Sequence, residues 1–120
     1  MKINLKEELG LNKDFEVKAS NMNMEKSIQM QLSMAKMDNI QGKEGVEILE
    51  QTLKTIQDSS QFVKDMLKMN AKESALIDDM EMTDTMQLVN RICLRVMGNT
   101  DEEIKEMFAE PVDGEDAGKE

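Results

Sequence analysis

Apolar positions recur mostly at helical spacing. Met24, Ile28, Leu32 and Ala35 fall in one stripe of a helix predicted from about Asn23 to Asn39, with Asn21 or Asn23 as its cap. That stripe suffices for the core, and Met30, Met34 and Met37 fall on the opposite side of the helix. The run Gln41-Gly42-Lys43-Glu44-Gly45 then breaks it. A second helix is predicted from about Val46 to Met69. Val46, Leu49, Leu53, Ile56, Ser60, Val63 and Leu67 alternate spacings of three and four, the a/d pattern of a heptad seam with one polar member. Ile48, Phe62 and Met66 widen its apolar face, and Asp58-Ser59-Ser60 marks a candidate kink. The seam lasts barely three heptads, which favours a bundle helix in the chain's own core. An intermolecular coiled coil is the alternative.

A short third helix begins near Asn70, with Ala71, Ala75 and Leu76 inside, and ends near Met80. Thr83 reads as the cap of a fourth helix that runs to Met97, where Gly98 takes the C′ position. Apolar residues cover half of this helix, and Asp84, Gln87, Arg91 and Arg95 form its polar strip. Thr100-Asp101-Glu102-Glu103 is a capping box opening a last helix, with Ile104, Met107 and Phe108 inward and Pro111 closing it. Val89, Ile92, Val96 and Leu53 are expected in the core.

The two ends lack this periodicity. Phe15, Val17 and Ala19 alternate with Glu16 and Lys18, a strand period with no evident second strand. Residues 1–20 are therefore expected to be flexible or briefly extended, or to pair with another chain. Residues 101–120 hold nine acids and two lysines, and the segment from Glu110 has almost nothing to bury. The expected class is all-α: a small bundle of four to five helices over residues 21–109, with a flexible N-terminal segment (1–20) and a disordered acidic tail (110–120).

Composition narrows the chemistry. The 120 residues carry a formal charge of -10, with 13 Met, one Cys and no His, Trp or Tyr. Without His there is no Ser/His or Cys/His nucleophile pair and no imidazole metal ligand. One Cys excludes a thiolate zinc cluster or an internal disulfide, and fits a reducing compartment. The acidity opposes nucleic acid, and no apolar run approaches the ~18–20 residues of a membrane helix. Glu7 and Glu8 stand where an export signal would be apolar.

Ser33-Met34-Ala35-Lys36 fits the S-x-x-K of serine acyl-enzymes, but the accompanying motifs are absent. Gly114 to Lys119 lacks the spacing of a phosphate loop. Asp78 to Asp84 has Met80 and Met82 where a calcium loop needs oxygen. No catalytic, cofactor or metal residue is therefore expected. Methionine faces adapt to varied apolar partners, so Met30, Met34 and Met37 form a candidate partner-binding face. Ile48, Phe62 and Met66 form a second candidate.

The stretch Ile77-Asp78-Asp79-Met80-Glu81-Met82-Thr83-Asp84-Thr85-Met86-Gln87-Leu88-Val89, with Arg95-Val96-Met97-Gly98 and Thr100 to Ile104, resembles the tail assembly chaperones of long-tailed phages and prophages of Gram-positive bacteria. Phe15 to Asn21, before a Met-rich helix, is similar to their N-terminal part. The resemblance covers roughly residues 13–110. It implies a non-enzymatic protein that binds the tail tape measure protein in the host bacterial cytoplasm and keeps it soluble. Such a protein helps tail tube subunits assemble around the tape measure and is absent from the mature virion. Two other classes fit the residues alone: a small regulatory adaptor that self-associates through the 46–67 heptads, and a structural head–tail component.

Overall fold

Packing in the computed structural model, which describes residues 1–38 and 44–108, begins at the N-terminus. Strand β1 (Lys2–Asn4) pairs antiparallel with β2 (Asp14–Glu16), with Ile3 opposite Phe15. A single-turn helix α1 (Lys6–Leu9) joins them and ends at Gly10, whose φ of 69° is the left-handed conformation a glycine adopts without steric cost. The strand period at Phe15 thus finds its partner within the chain. Ile3, Leu5, Phe15 and Val17 are all buried in the main core, so residues 1–20 share the helices' core instead of lying apart from it. Ile3 is the one apolar residue of β1, too short a pattern to recognise by period alone.

Five helices complete the described chain after the short α1: α2 (Asn21–Asp38), α3 (Gly45–Met66), α4 (Ala71–Asp78), α5 (Met82–Val96) and α6 (Asp101–Phe108). The fold is the expected all-α class, with a two-stranded sheet added. The cap of α2 is Ser20, one residue before the expected asparagines: its hydroxyl accepts the Asn23 backbone N–H at 3.2 Å. The cap of α5 is Glu81, not Thr83, and the Thr85 hydroxyl donates back to the Glu81 carbonyl at 3.0 Å. The expected capping box at Thr100 is present, with both reciprocal bonds to Glu103.

Helices α2 and α3 lie side by side, and α5 packs against both. Small and sulfur-bearing residues sit at the crossings. The Ser59 hydroxyl bonds its own helix at the Thr55 carbonyl (2.6 Å) and touches Met86 sulfur (3.5 Å), while the Cys93 thiol lies 3.5 Å from the Ser27 carbonyl. Thr55, Ser27 and Ser59 are buried with their hydroxyls satisfied by the preceding turn. They bring backbones close at no cost in unpaired polar groups. Around them pack Val63, Leu88, Val89, Ile92 and Val96, of which Val89, Ile92 and Val96 were expected there.

This arrangement corrects several expectations. On α2 the two stripes largely exchange roles: Met30 is buried and Met34 packs on the core, whereas Ile28, Leu32 and Ala35 are exposed and only Met24 of the first stripe packs on the core. The core side of α2 is the side carrying Ser27, and unbranched Met fills the uneven space beside it. Leu53 is exposed for the same reason, because Thr55 and Ser59 set the inner face of α3. Helix α3 runs unbroken through Asp58-Ser59-Ser60 and ends at Met66. On α4, Ala71 and Ala75 are exposed, and the buried residues are Glu73 and Ile77. On α6, Ile104 is buried and Met107 is exposed. The expected acidic tail from Glu110, with Pro111, and most of the expected break at Gln41 to Gly45 lie outside the described residues.

The end of α3 carries a positive φ of 51° on Lys68. The Met69 N–H bonds the Lys64 carbonyl (3.0 Å) and the Lys68 N–H bonds the Asp65 carbonyl (3.3 Å), a Schellman closure with lysine at the position glycine favours. Helix α5 ends in the same closure on Gly98, φ 107°. Lys68→Gly is expected to raise stability by about 0.5–1 kcal/mol, read as a Tm increase of a few degrees in thermal melts.

Candidate functional site

The outer side of the α2–α3 pair, away from α5, forms a groove of about 540 Å³. Met30, Phe62 and Met66 make its floor. Gln29, Leu32 and Ser33 rise on the α2 side, and Gln51 and Gln61 on the α3 side. The floor exists because each helix turns a residue i to i+4 set toward its neighbour at this depth, with Phe62 and Met66 one turn apart on α3.

Charge divides the rim. Lys26 and Lys36 stand on α2; Asp58 and Asp65 stand on α3 beside Lys54. Lys54 bonds Asp58 at 2.7 Å, and the Gln61 amide donates to Asp65 at 2.8 Å. Exposed pairs of this kind contribute little stability, about 1 kcal/mol or less, so the rim can exchange partners at small cost.

Of the six residues expected to contact a partner, the groove brings three together. Met30, Phe62 and Met66 share its floor, but they are 5%, 7% and 3% exposed, so they shape the groove more than they present surface. Met34 packs against the core, and Met37 sulfur accepts the Thr52 hydroxyl at 3.8 Å where the two helices meet. Ile48 is half-buried higher on α3. Leu32, which spacing places with the core stripe, is 58% exposed on the rim. Nothing in the periodicity separates the two stripes of α2. The signal that does is Ser27, a small residue that permits the close crossing with α5.

A second polar feature holds the far side of the molecule. Arg91 donates to Asp101 (2.8 and 3.2 Å), to Glu8 (2.8 Å) and to the Asn4 carbonyl (2.9 Å). Arg95 donates to Asp101 (2.6 Å) and the Lys2 carbonyl (3.0 Å). Hydrogen bonding from Arg91 holds the Asp101 carboxyl below its ordinary value. Two residues of the polar strip of α5 thereby clamp the N-terminal segment and α6 to one helix. The thiol of Cys93 is buried, and burial pushes its pKa up to about 11, far from a reactive thiolate.

A family model described as phage tail assembly chaperone proteins, TAC, matches residues 1–112. The chain belongs to that family. The match begins at residue 1, so it takes in β1, α1 and β2 as well as the helices, in keeping with their shared core. Neither the curated proteins nor the solved structures give a match. As a tail assembly chaperone family member, the chain is expected to act on other tail proteins through its surface. Most of the exposed large apolar side chains among the described residues lie on the two longest helices, α2 and α3. Among the described residues, no helix is long and apolar enough to cross a membrane.

Proposed function

We propose that this family member binds the tail tape measure protein, keeps it dispersed before assembly, and helps tail tube subunits polymerise around it. On this reading it works without catalysis, in the host bacterial cytoplasm, and leaves before the virion is complete. The observation that carries the reading is the α2–α3 groove, with its methionine and phenylalanine floor, exposed Leu32 on its rim and Ile28 one turn away. A tape measure helix carries apolar stripes that aggregate until the tube covers them. An amphipathic helix laid along the groove would cover such a stripe. Adaptable methionine accepts different side chains as the register changes. A net charge of -10 keeps the complex dispersed by mutual repulsion.

The test is co-expression with the tape measure protein. Ile28→Gln with Leu32→Gln alters exposed positions and is expected to leave the fold intact while the tape measure moves to the insoluble fraction. Met30→Gln, by contrast, is expected to cost about 1–3 kcal/mol of stability, because it places an amide in packed surroundings. If the rim variant still holds the tape measure in solution, the groove is not the binding face.

A further inference from the structure

The two edges of the β1–β2 sheet are finished differently. The Val17 N–H donates to the Met1 carbonyl (2.8 Å) and the Met1 amine donates to the Val17 carbonyl (3.0 Å), so this pair exchanges both of its bonds. Two residues further along the register, Ile3 and Phe15 face each other in the same way. The backbone groups of Lys2, Asn4, Asp14 and Glu16 therefore point away from the ladder. On the β1 edge the two outward carbonyls are taken. Arg95 donates to that of Lys2 (3.0 Å) and Arg91 to that of Asn4 (2.9 Å). On the β2 edge their counterparts are open: among the described residues the N–H and C=O of Asp14 and of Glu16 have no hydrogen-bond partner. Both residues are exposed, while Phe15 between them is buried. The open stretch closes at Lys18, whose carbonyl accepts from the Asn23 amide (2.8 Å). Two donors and two acceptors, spaced by two residues or roughly 7 Å, form the template for one more strand.

We propose that this edge receives, as a third strand, an extended segment of a partner protein with basic residues at alternate positions. The backbone groups require an extended chain, and the side chains select its charge. Asp14 and Glu16 stand on the exposed face of β2. Each has one carboxylate oxygen held from the β1 side, by the Asn4 amide (3.0 Å) and the Met1 amine (2.9 Å). Asp14 has no ion-pair partner among the described residues, and neighbouring Lys13 is bonded to Glu73 (2.6 Å). A side chain added beside these acids on the same face stands about 5 Å away, so lysine or arginine is favoured there and an acid is repelled. The same rule disfavours a second copy, because β2 laid against β2 sets acid against acid in either direction. Four backbone bonds over three residues make a small site, so the added strand is held weakly and reversibly. The edge is separate from the α2–α3 groove and does not rest on the function proposed for it.

NMR titration of the isotope-labelled full chain with the peptide Thr-Lys-Val-Lys-Val-Lys-Thr tests the proposal. The Asp14 and Glu16 amide signals are expected to shift, and their hydrogen exchange to slow at least about tenfold at saturation. The counterpart with Glu for each Lys is expected to bind at least about tenfold more weakly. Asp14→Lys is expected to narrow or reverse that preference. Glu16→Pro removes one outward N–H and leaves the bonds between the strands in place, so it should keep the fold and lose the peptide. Glu16→Gln retains the N–H and should bind within a few-fold of the parent. Asp14→Lys, at an exposed position, decides independently of how Glu16→Pro folds. Edge amides that stay unmoved overturn the proposal, as does equal binding of the two peptides. Shifts confined to the surroundings of Leu32 and Phe62 overturn it and assign the peptide to the groove. Edge amides that shift when the chain alone is concentrated overturn it in favour of a second copy.

Discussion

Val96→Asp is expected to abolish the folded state. Val96 is 1% exposed, in the last turn of α5, where α5 packs into the shared core. A carboxylate there would sit within the buried apolar cluster, and burying it ionised costs many kcal/mol, while burying it protonated still costs several. A domain of this size has about 5–15 kcal/mol of stability in all. Far-UV circular dichroism is the natural readout, since the chain has no Trp or Tyr. Val96→Ala is the control. It leaves a small cavity without a charge, and is expected to cost about 1–3 kcal/mol and to unfold in one cooperative step. A Val96→Asp protein with the parent's helical signal and Tm would place the core elsewhere.

The second large effect is expected at Arg91. Arg91→Met keeps the apolar stem and removes the guanidinium, so Glu8, Asp101 and the Asn4 carbonyl lose a donor together. The guanidinium is only partly shielded from water, so the expected cost is about 2–4 kcal/mol, below that of a fully buried pair. Protease cleavage between β1 and β2 should accelerate, because α1 and β1 lose their tie to α5. The pH dependence changes as well. Asp101 binds its proton less readily folded than unfolded. Its contribution is therefore complete above the unfolded carboxylate value of about 3.9 and is lost as pH falls through the lower folded value. Arg95 still holds Asp101 in the variant, so this acid-sensitive part shrinks without vanishing. Urea unfolding at neutral and acid pH should show the gap between parent and variant narrowing toward low pH. A gap independent of pH would mean that Arg91 acts by packing alone.

The helices were legible where caps and long apolar periods agree. The Thr100 box, the Gly98 stop and the inward side of α5 all follow from local rules, and the structure has them. What the pattern misplaced was the buried side of α2 and α3. Hydrophobicity scores Thr55, Ser59 and Ser27 as polar, yet each closes its hydroxyl on its own helix and becomes a small, satisfied surface for close crossing. The large apolar residues were free to face outward. The candidate site was half legible for the same reason. Methionine pointed to the groove's floor, Met30, Phe62 and Met66, while exposed Leu32 was counted as core. β1 was invisible because three residues carry no period, and its partner lies beyond α1.

The clamp on the N-terminal segment also sets an order of events during synthesis. Its bonds join residues 83, 87 and 93 positions apart, almost the whole described chain. A ribosome adding about 5–20 residues per second needs several seconds to deliver α5 after β1 has emerged. During that interval the N-terminal segment lacks its ties to Arg91 and Arg95, and Ile3, Leu5 and Phe15 lack the α5 part of their core. These are the longest-range side-chain ties in the described fold, and contacts so far apart in sequence form slowly. The first residues made are thus the last to be locked in place, and refolding from denaturant should show the same late step, slowed further when Arg91 or Arg95 is removed.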